Sequence, residues 1–327
     1  MSEKLARLFT AVFLLGGMAA IGIAWWSGQS NAIILHARMP EKGGWMPADL
    51  TVEAGKPLHL RLTSDDVVHS FAIGQSDFPV VDVMPGEMTE VTLRLDKPGT
   101  YTFYCTRWCG PNHWRMRGTI TVTGDGVAEP VTQPLYVQLG LDIDAPHEAQ
   151  VIPPEKPSAQ IGAKLNLDLS TYQSTGYYRS HNPGEVWQDL RGDPDFTSYS
   201  DQQLWDAVAF IWSSNTTPEA LAKAEQLYAQ NCAACHGGSG RGDGVFSGEL
   251  AYLPEDAHKA TSGHEVIDPT DFADPHHMLS ISPAALQGKI IRGGMGSGMP
   301  MWGVIFTEEQ TWSLVSYLYT FQFEEDR

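Results

Sequence analysis

Two short segments hold most of the residues that could bind a metal. In CTRWCGPNHWRM, Cys105, Cys109, His113 and Met116 share one loop. Two thiolates, an imidazole and a thioether are soft-to-intermediate donors that suit copper. A mononuclear blue-copper site uses one thiolate. A second cysteine four residues on lets both sulfurs bridge two metals, and His69, upstream in DVVHSFAI, supplies the second imidazole that a metal pair requires. The other segment, NCAACHG, sets Cys232, Cys235 and His236 in the order CxxCH. That order attaches a c-type haem through two thioether bonds and offers an axial imidazole. A methionine-containing loop, GGMGSGMPMWG, lies about sixty residues downstream. The chain's four cysteines could instead form two local disulfides of a secreted protein. The histidines and methionine in register with them favour metal and haem.

The elements around the first segment read as strands. DLTVEAGKPLHLRLTS, HSFAI, EVTLRLDKPGTYTFYC and GTITVTG alternate apolar and polar residues, and Gly55, Pro85-Gly86 and Pro98-Gly99 punctuate them. Short strands at this spacing predict a Greek-key β-sandwich that presents the loop between TYTFY and GTITV. The second segment follows an amphipathic helix, TPEALAKAEQLYAQN, and precedes glycines (GGSGRGDG) that let backbone pass close to a flat macrocycle.

The succession VVHSFAI, DVMPGE, DKPGTYTFYC and CxxxCxxxHxxM resembles the cupredoxin domain of cytochrome oxidase subunit II over about ninety residues. The C-terminal half of nitrous oxide reductase shares this domain. The resemblance implies the binuclear copper centre CuA. One copper would take His69 and Met116, the other His113 and the backbone carbonyl of Arg107, and Cys105 and Cys109 would bridge both. Most members have Glu where this chain has Arg107, and that Glu also helps bind magnesium, so the resemblance implies CuA without the magnesium. The aromatic cluster that usually precedes the domain is absent. Trp45 is the nearest candidate, and packing is its simpler role.

From about 217 to 323 the chain resembles small class I cytochromes c. This implies Cys232, Cys235 and His236 on a covalent haem c, with Met299 of GMPMWG as sixth ligand and Met301, then Met295, as rivals. A His–Met pair suits electron transfer rather than oxygen binding. His264, His276 and His277 read as surface or loop residues.

The rest of the chain sets the organisation. Leu8 to Trp26 is an uncharged apolar run preceded by Lys4 and Arg7. Nineteen residues give roughly 28 Å of helix, enough to span a bilayer with the amino end cytoplasmic and the remainder periplasmic or otherwise extracytoplasmic; a cleaved signal peptide is the other reading and places the remainder on the same side. The expected order is a transmembrane anchor (1–30), a CuA cupredoxin domain (31–124), a proline-rich linker (125–170), a helical segment (171–215) and a class I cytochrome c domain (216–327). YSDQQLWDAVAFIW aligns with FTEEQTWSLVSYLY, so the helical segment reads either as a haem-less cytochrome remnant or as a plain amphipathic helix. The fold class is multidomain: a transmembrane helix, an all-β cupredoxin sandwich and an all-α cytochrome c domain.

With 39 acidic against 21 basic residues the chain carries a net charge of -18, which argues against nucleic acid as a partner and suits a basic protein. No acid, base or nucleophile constellation is visible. The resemblance implies an electron-input subunit of a haem-copper terminal oxidase. Its partners would be the membrane-bound catalytic subunit I and a cytochrome c or other donor. The alternative is the CuA subunit of a nitric oxide reductase, and a free-standing redox carrier or copper-delivery protein is the reading from another class.

Overall fold

The structure, a computed structural model, describes residues 32–76, 78–107, 109–110, 113–125, 133–247, 268–294 and 299–324. The expected anchor lies outside these residues. Among the described residues no helix is long and apolar enough to cross a membrane. The chain divides into two compact units, Met1–Glu129 and Pro130–Arg327.

The first unit is a sandwich of two sheets. Its strands are β1 (Ile33–Ala37), β2 (Trp45–Met46), β3 (Asp49–Glu53), β4 (Pro57–Ser64), β5 (His69–Ile73), β6 (Val81–Val83), β7 (Thr89–Arg94), β8 (Gly99–Tyr104) and β9 (Arg117–Thr123). One sheet has the order β2-β1-β4-β7 and the other β3-β9-β8-β5-β6. Strands β1 and β4, and β3 and β9, run parallel; the remaining pairs are antiparallel. The period-2 pattern explains the layering. Leu58, Leu60 and Leu62 of β4 are buried, as are Leu35 and Ala37 of β1, while the residues between them are more exposed. Trp45 sits in this core, edge-on to Phe71 and Phe103 with ring centroids 5.7 Å away in each case. That packing is the role its burial supports. β5 is buried along its whole length, so the histidine that opens it is carried on a fully enclosed strand.

The second unit is helical: α1 (Leu135–Gln138), α2 (Ala159–Lys164), α3 (Thr175–Ser180), α4 (Pro183–Gly192), α5 (Asp201–Ser213), α6 (Pro218–Asn231), α7 (Ala233–His236), α8 (Pro275–Met278), α9 (Pro283–Arg292) and α10 (Glu308–Thr320). Helix α10 packs on α6 and α9. Helix α5 packs on α2, where Gly162 lets the backbones touch: a methyl group there would overlap the Asp206 carbonyl. The two stretches aligned in the sequence form helices of equal length, α5 and α10. Both open with a capping box, Ser200 with Gln203 and Thr307 with Gln310.

The proline-rich stretch lies against these helices as a strap. Asp144 makes a bidentate ion pair with Arg292 of α9, at 2.5 and 2.6 Å. The His147 and His277 rings are 4.5 Å apart, the Ala149 N–H donates to the His276 carbonyl at 2.7 Å, and Tyr136 covers Gly288. Prolines break this stretch into the short helices α1 and α2 and leave the chain between them free to lie on its neighbours.

Candidate metal and haem centres

The first centre lies where β5 and the β8–β9 loop meet. The loop is pinched at its base, because the Cys105 N–H donates to the Met116 carbonyl at 3.1 Å. His69 Nδ1, Cys105 Sγ and Cys109 Sγ lie within 4.8 Å of one another, and all three residues are buried. His69 Nδ1 is 3.9 Å from Cys105 Sγ, and His113 Nδ1 is 3.3 Å from Cys109 Sγ. Met116 Sδ is 3.7 Å from Cys109 Sγ, and the Arg107 carbonyl oxygen is 3.2 Å from Cys105 Sγ. All six residues expected from the sequence therefore converge, with two sulfurs at the centre and one imidazole beside each.

Residues that the sequence did not single out hold this set in place. Asp66 accepts from His69 Nε2 at 2.8 Å, which orients the ring with Nδ1 on the side of the sulfurs. Burial opposes the Asp66 carboxylate, but the backbone N–H groups of Met39 and Val67 and the His69 ring outweigh it and hold its pKa down to about 2. Burial likewise opposes charge on His69, and its bonds to Cys105 and Asp66 reverse that and raise its pKa. Ser70 Oγ accepts from the Thr106 N–H at 2.7 Å and the Arg107 N–H at 3.2 Å, and the Ser70 N–H points at Cys105 Sγ at 3.3 Å. The Cys105 thiol is held far below its usual range, by hydrogen bonding from Cys109 and then by the imidazoles, against the cost of burial. Cys109 is pushed up by the Cys105 thiolate and by burial. The sequence signals were present, since Asp66 stands three residues before His69 and Ser70 one after, but neither type identifies itself as a positioning group.

The second centre is in the helical unit. Cys232 ends α6, Cys235 and His236 lie on α7, and both cysteines are free thiols. Burial raises the pKa of each, Cys232 to about 12. His236 Nδ1 donates to the Thr270 carbonyl at 3.2 Å. A carbonyl can only accept, so Nε2 keeps its lone pair for a ligand. Burial lowers the His236 pKa in the same sense. Phe272 stacks on the imidazole at 4.6 Å, and Tyr228 Oη donates to the Gly237 carbonyl at 2.7 Å, tying α6 to the turn after the motif.

Met299 is half-buried and Met301 is 54 % exposed. The Gly294 N–H donates to the Met299 carbonyl at 3.1 Å. Gly293, at φ 70°, brings α9's end so close to Met299 and Pro300 that a Cβ would meet both carbonyls. Met295 and His264 lie outside the described residues. His276 is exposed, and His277 pairs with His147 in the strap.

Residues 46–123 match the family model for the periplasmic domain of cytochrome c oxidase subunit II, and residues 221–322 match the cytochrome c family. The chain therefore pairs a region similar to the subunit II periplasmic domain with a region similar to the cytochromes c. Cytochrome c oxidase subunit 2 of Thermus thermophilus is 35 % identical over 79 residues, 24 % of this chain and 58 % of that protein. The alternative cytochrome c oxidase subunit 2 of Bradyrhizobium diazoefficiens is 32 % identical over 77 residues, 24 % of this chain and 27 % of that protein. The chain thus matches a little more than half of the first relative's length and about a quarter of the second's. The crystal structure of the periplasmic domain of subunit II from Bradyrhizobium japonicum is 21 % identical, covering 29 % of this chain and 84 % of that one at a TM-score of 0.25. By its two-sheet sandwich and its family match the β unit is cupredoxin-like and holds a copper-type donor cluster, and the helical unit contains a cytochrome c region.

Proposed function

We propose that the chain is subunit II of a haem-copper terminal oxidase. In this role it would pass electrons from a cytochrome c, through haem c and CuA, to a membrane-bound catalytic subunit that reduces oxygen to water. The observation that carries this is the buried cluster of His69, Cys105 and Cys109 within 4.8 Å, on a domain matched to the subunit II family and in one chain with CxxCH. The donor set fits a copper pair. Cys105, Cys109, His69, His113, Met116 and the Arg107 carbonyl would together hold it. Cys232, Cys235 and His236 fit covalent haem attachment with an axial imidazole, and Met299 would be the sixth ligand. When bound, the two groups supply one-electron transfer at soft, low-reorganisation centres.

The chain's own residues have three tasks. Asp66 and Thr270 orient the two imidazoles. Ser70 gathers the N–H groups at the start of the copper loop. The sandwich core keeps Cys105 and Cys109 out of water, at 4 % and 5 % exposure. Residues 1–30 would anchor the chain, with both units on the periplasmic side. Proton pumping would belong to the partner subunit.

The test is made on the complex purified from native membranes by a tag on this subunit and supplied with reduced cytochrome c. Fast oxygen uptake with little nitric oxide turnover is expected. Nitric oxide turnover with negligible oxygen uptake would transfer the chain to the nitric oxide reductases.

A further inference from the structure

The Arg107 carbonyl differs from the other proposed copper donors, because a backbone oxygen has no rotamer of its own. Its direction is set by whatever holds the residue. Two bonds do so. The Arg107 N–H reaches Ser70 Oγ at 3.2 Å. The guanidinium grips Asp82 in a fork, Nε to Oδ1 and Nη2 to Oδ2, both at 2.7 Å. Asp82 lies on β6 directly opposite Ser70 of β5, and the neighbouring pair in that ladder is His69 with Val83. Both holds on Arg107 therefore end on one rung, adjacent to the rung that carries His69. The fork joins the copper loop to β6 at the surface, with the guanidinium and carboxylate about half exposed, at 54 % and 46 %.

We propose that the Asp82–Arg107 ion pair is a positioning clamp for the copper loop. It would keep the Arg107 carbonyl turned toward Cys105 and tie the loop's register to the strand bearing His69. Asp82 would act on the metal through Arg107, without touching it. A planar guanidinium suits this task because two parallel bonds fix orientation as well as distance. The proposal rests on the CuA reading above, and the test separates the two.

The experiment uses the full-length chain loaded with copper and compares wild type with Asp82→Asn, Arg107→Gln, the double variant and Asp82→Glu. Two quantities are read: the rate of copper loss to excess bicinchoninate, and the copper hyperfine pattern by electron paramagnetic resonance. Each single variant is expected to lose copper about threefold faster, the scale of an exposed but bidentate pair, with an altered hyperfine pattern. The double variant should match the singles, because the two changes remove one interaction. Asp82→Glu should restore much of the wild-type behaviour. Loss rates and hyperfine patterns unchanged in both singles would overturn the clamp, and so would effects that multiply in the double variant. A wild-type chain that takes up copper without a binuclear signal would overturn the CuA reading itself.

Discussion

At the scale of the residue, the copper cluster divides into groups that would bind and groups that aim them. Cys105 is the most committed binder. It is 4 % exposed, carries the depressed thiol and lies between His69, the Arg107 carbonyl and Cys109. Cys105→Ser should therefore abolish the mixed-valence copper signal and leave the haem absorbance unchanged, since the haem motif belongs to the other unit. A surviving copper spectrum would show that Cys105 does not bridge. In the haem unit the contest is between two methionines. Met299 is half-buried, whereas Met301 is 54 % exposed and follows the backbone contact that Gly293 permits. Met299→Ala is expected to convert a low-spin His–Met haem to a high-spin or differently ligated form, read from the haem absorption spectrum. An unchanged spectrum would move the ligand to Met301.

At the scale of the element, the parts that could be read in the sequence are those whose signal is local. CxxxCxxxHxxM is one loop between two alternating strands, so its four ligands declared themselves together. CxxCH between an amphipathic helix and a glycine run did the same. His69 was legible by its type but not by its spacing, because only the β5–β8 pairing brings it to the loop. Asp82 could not be read at all, since its partner is set by strand register. The strap was read as a linker for the same kind of reason. Its contacts come from Tyr136, Asp144 and His147, spaced too irregularly to show a period.

The strap also carries a pH dependence. His277 is pushed down to about 4, first by burial and then by His147 and Lys289, against a smaller opposing effect of Asp274. His147 is lowered too, by burial and by Lys289, against a bond to the Ala145 carbonyl. An unfolded histidine takes a proton near 6.5, whereas folded His277 refuses it until about 4. Between those values the unfolded state binds more protons, so stability is held above about 6.5 and falls as the pH drops toward 4. Asp144, Arg292 and Lys289 face the same seam and keep their charges over most of that window. Hydrogen exchange at the Ala149 amide, which is bonded to the His276 carbonyl, should lose protection between pH 7 and 5 beyond the intrinsic change in exchange rate. A constant protection factor would show that the histidine pair does not hold the strap.

For the whole molecule, charge is unevenly divided. Residues 130–327 carry 26 acidic against 10 basic residues, a net of -16 out of the chain's -18, while residues 31–129 carry 12 against 9. A donor that approaches the haem unit therefore meets most of the field, and a basic protein would be drawn to it. The Debye length falls from about 30 Å at 0.01 M salt to about 8 Å at 0.15 M, so the attraction should be strong at the lower salt and largely screened at the higher. Stopped-flow reduction of the haem by a basic cytochrome c is expected to slow by at least about tenfold over that range, the scale of electrostatic steering. Reduction by a small neutral reductant should change little. Copper-free chain should show the same salt dependence, because the charge belongs to the haem unit. A salt response that vanished on removing copper would place the donor's docking site on the cupredoxin unit, and the order in which the two centres accept electrons would have to be reversed.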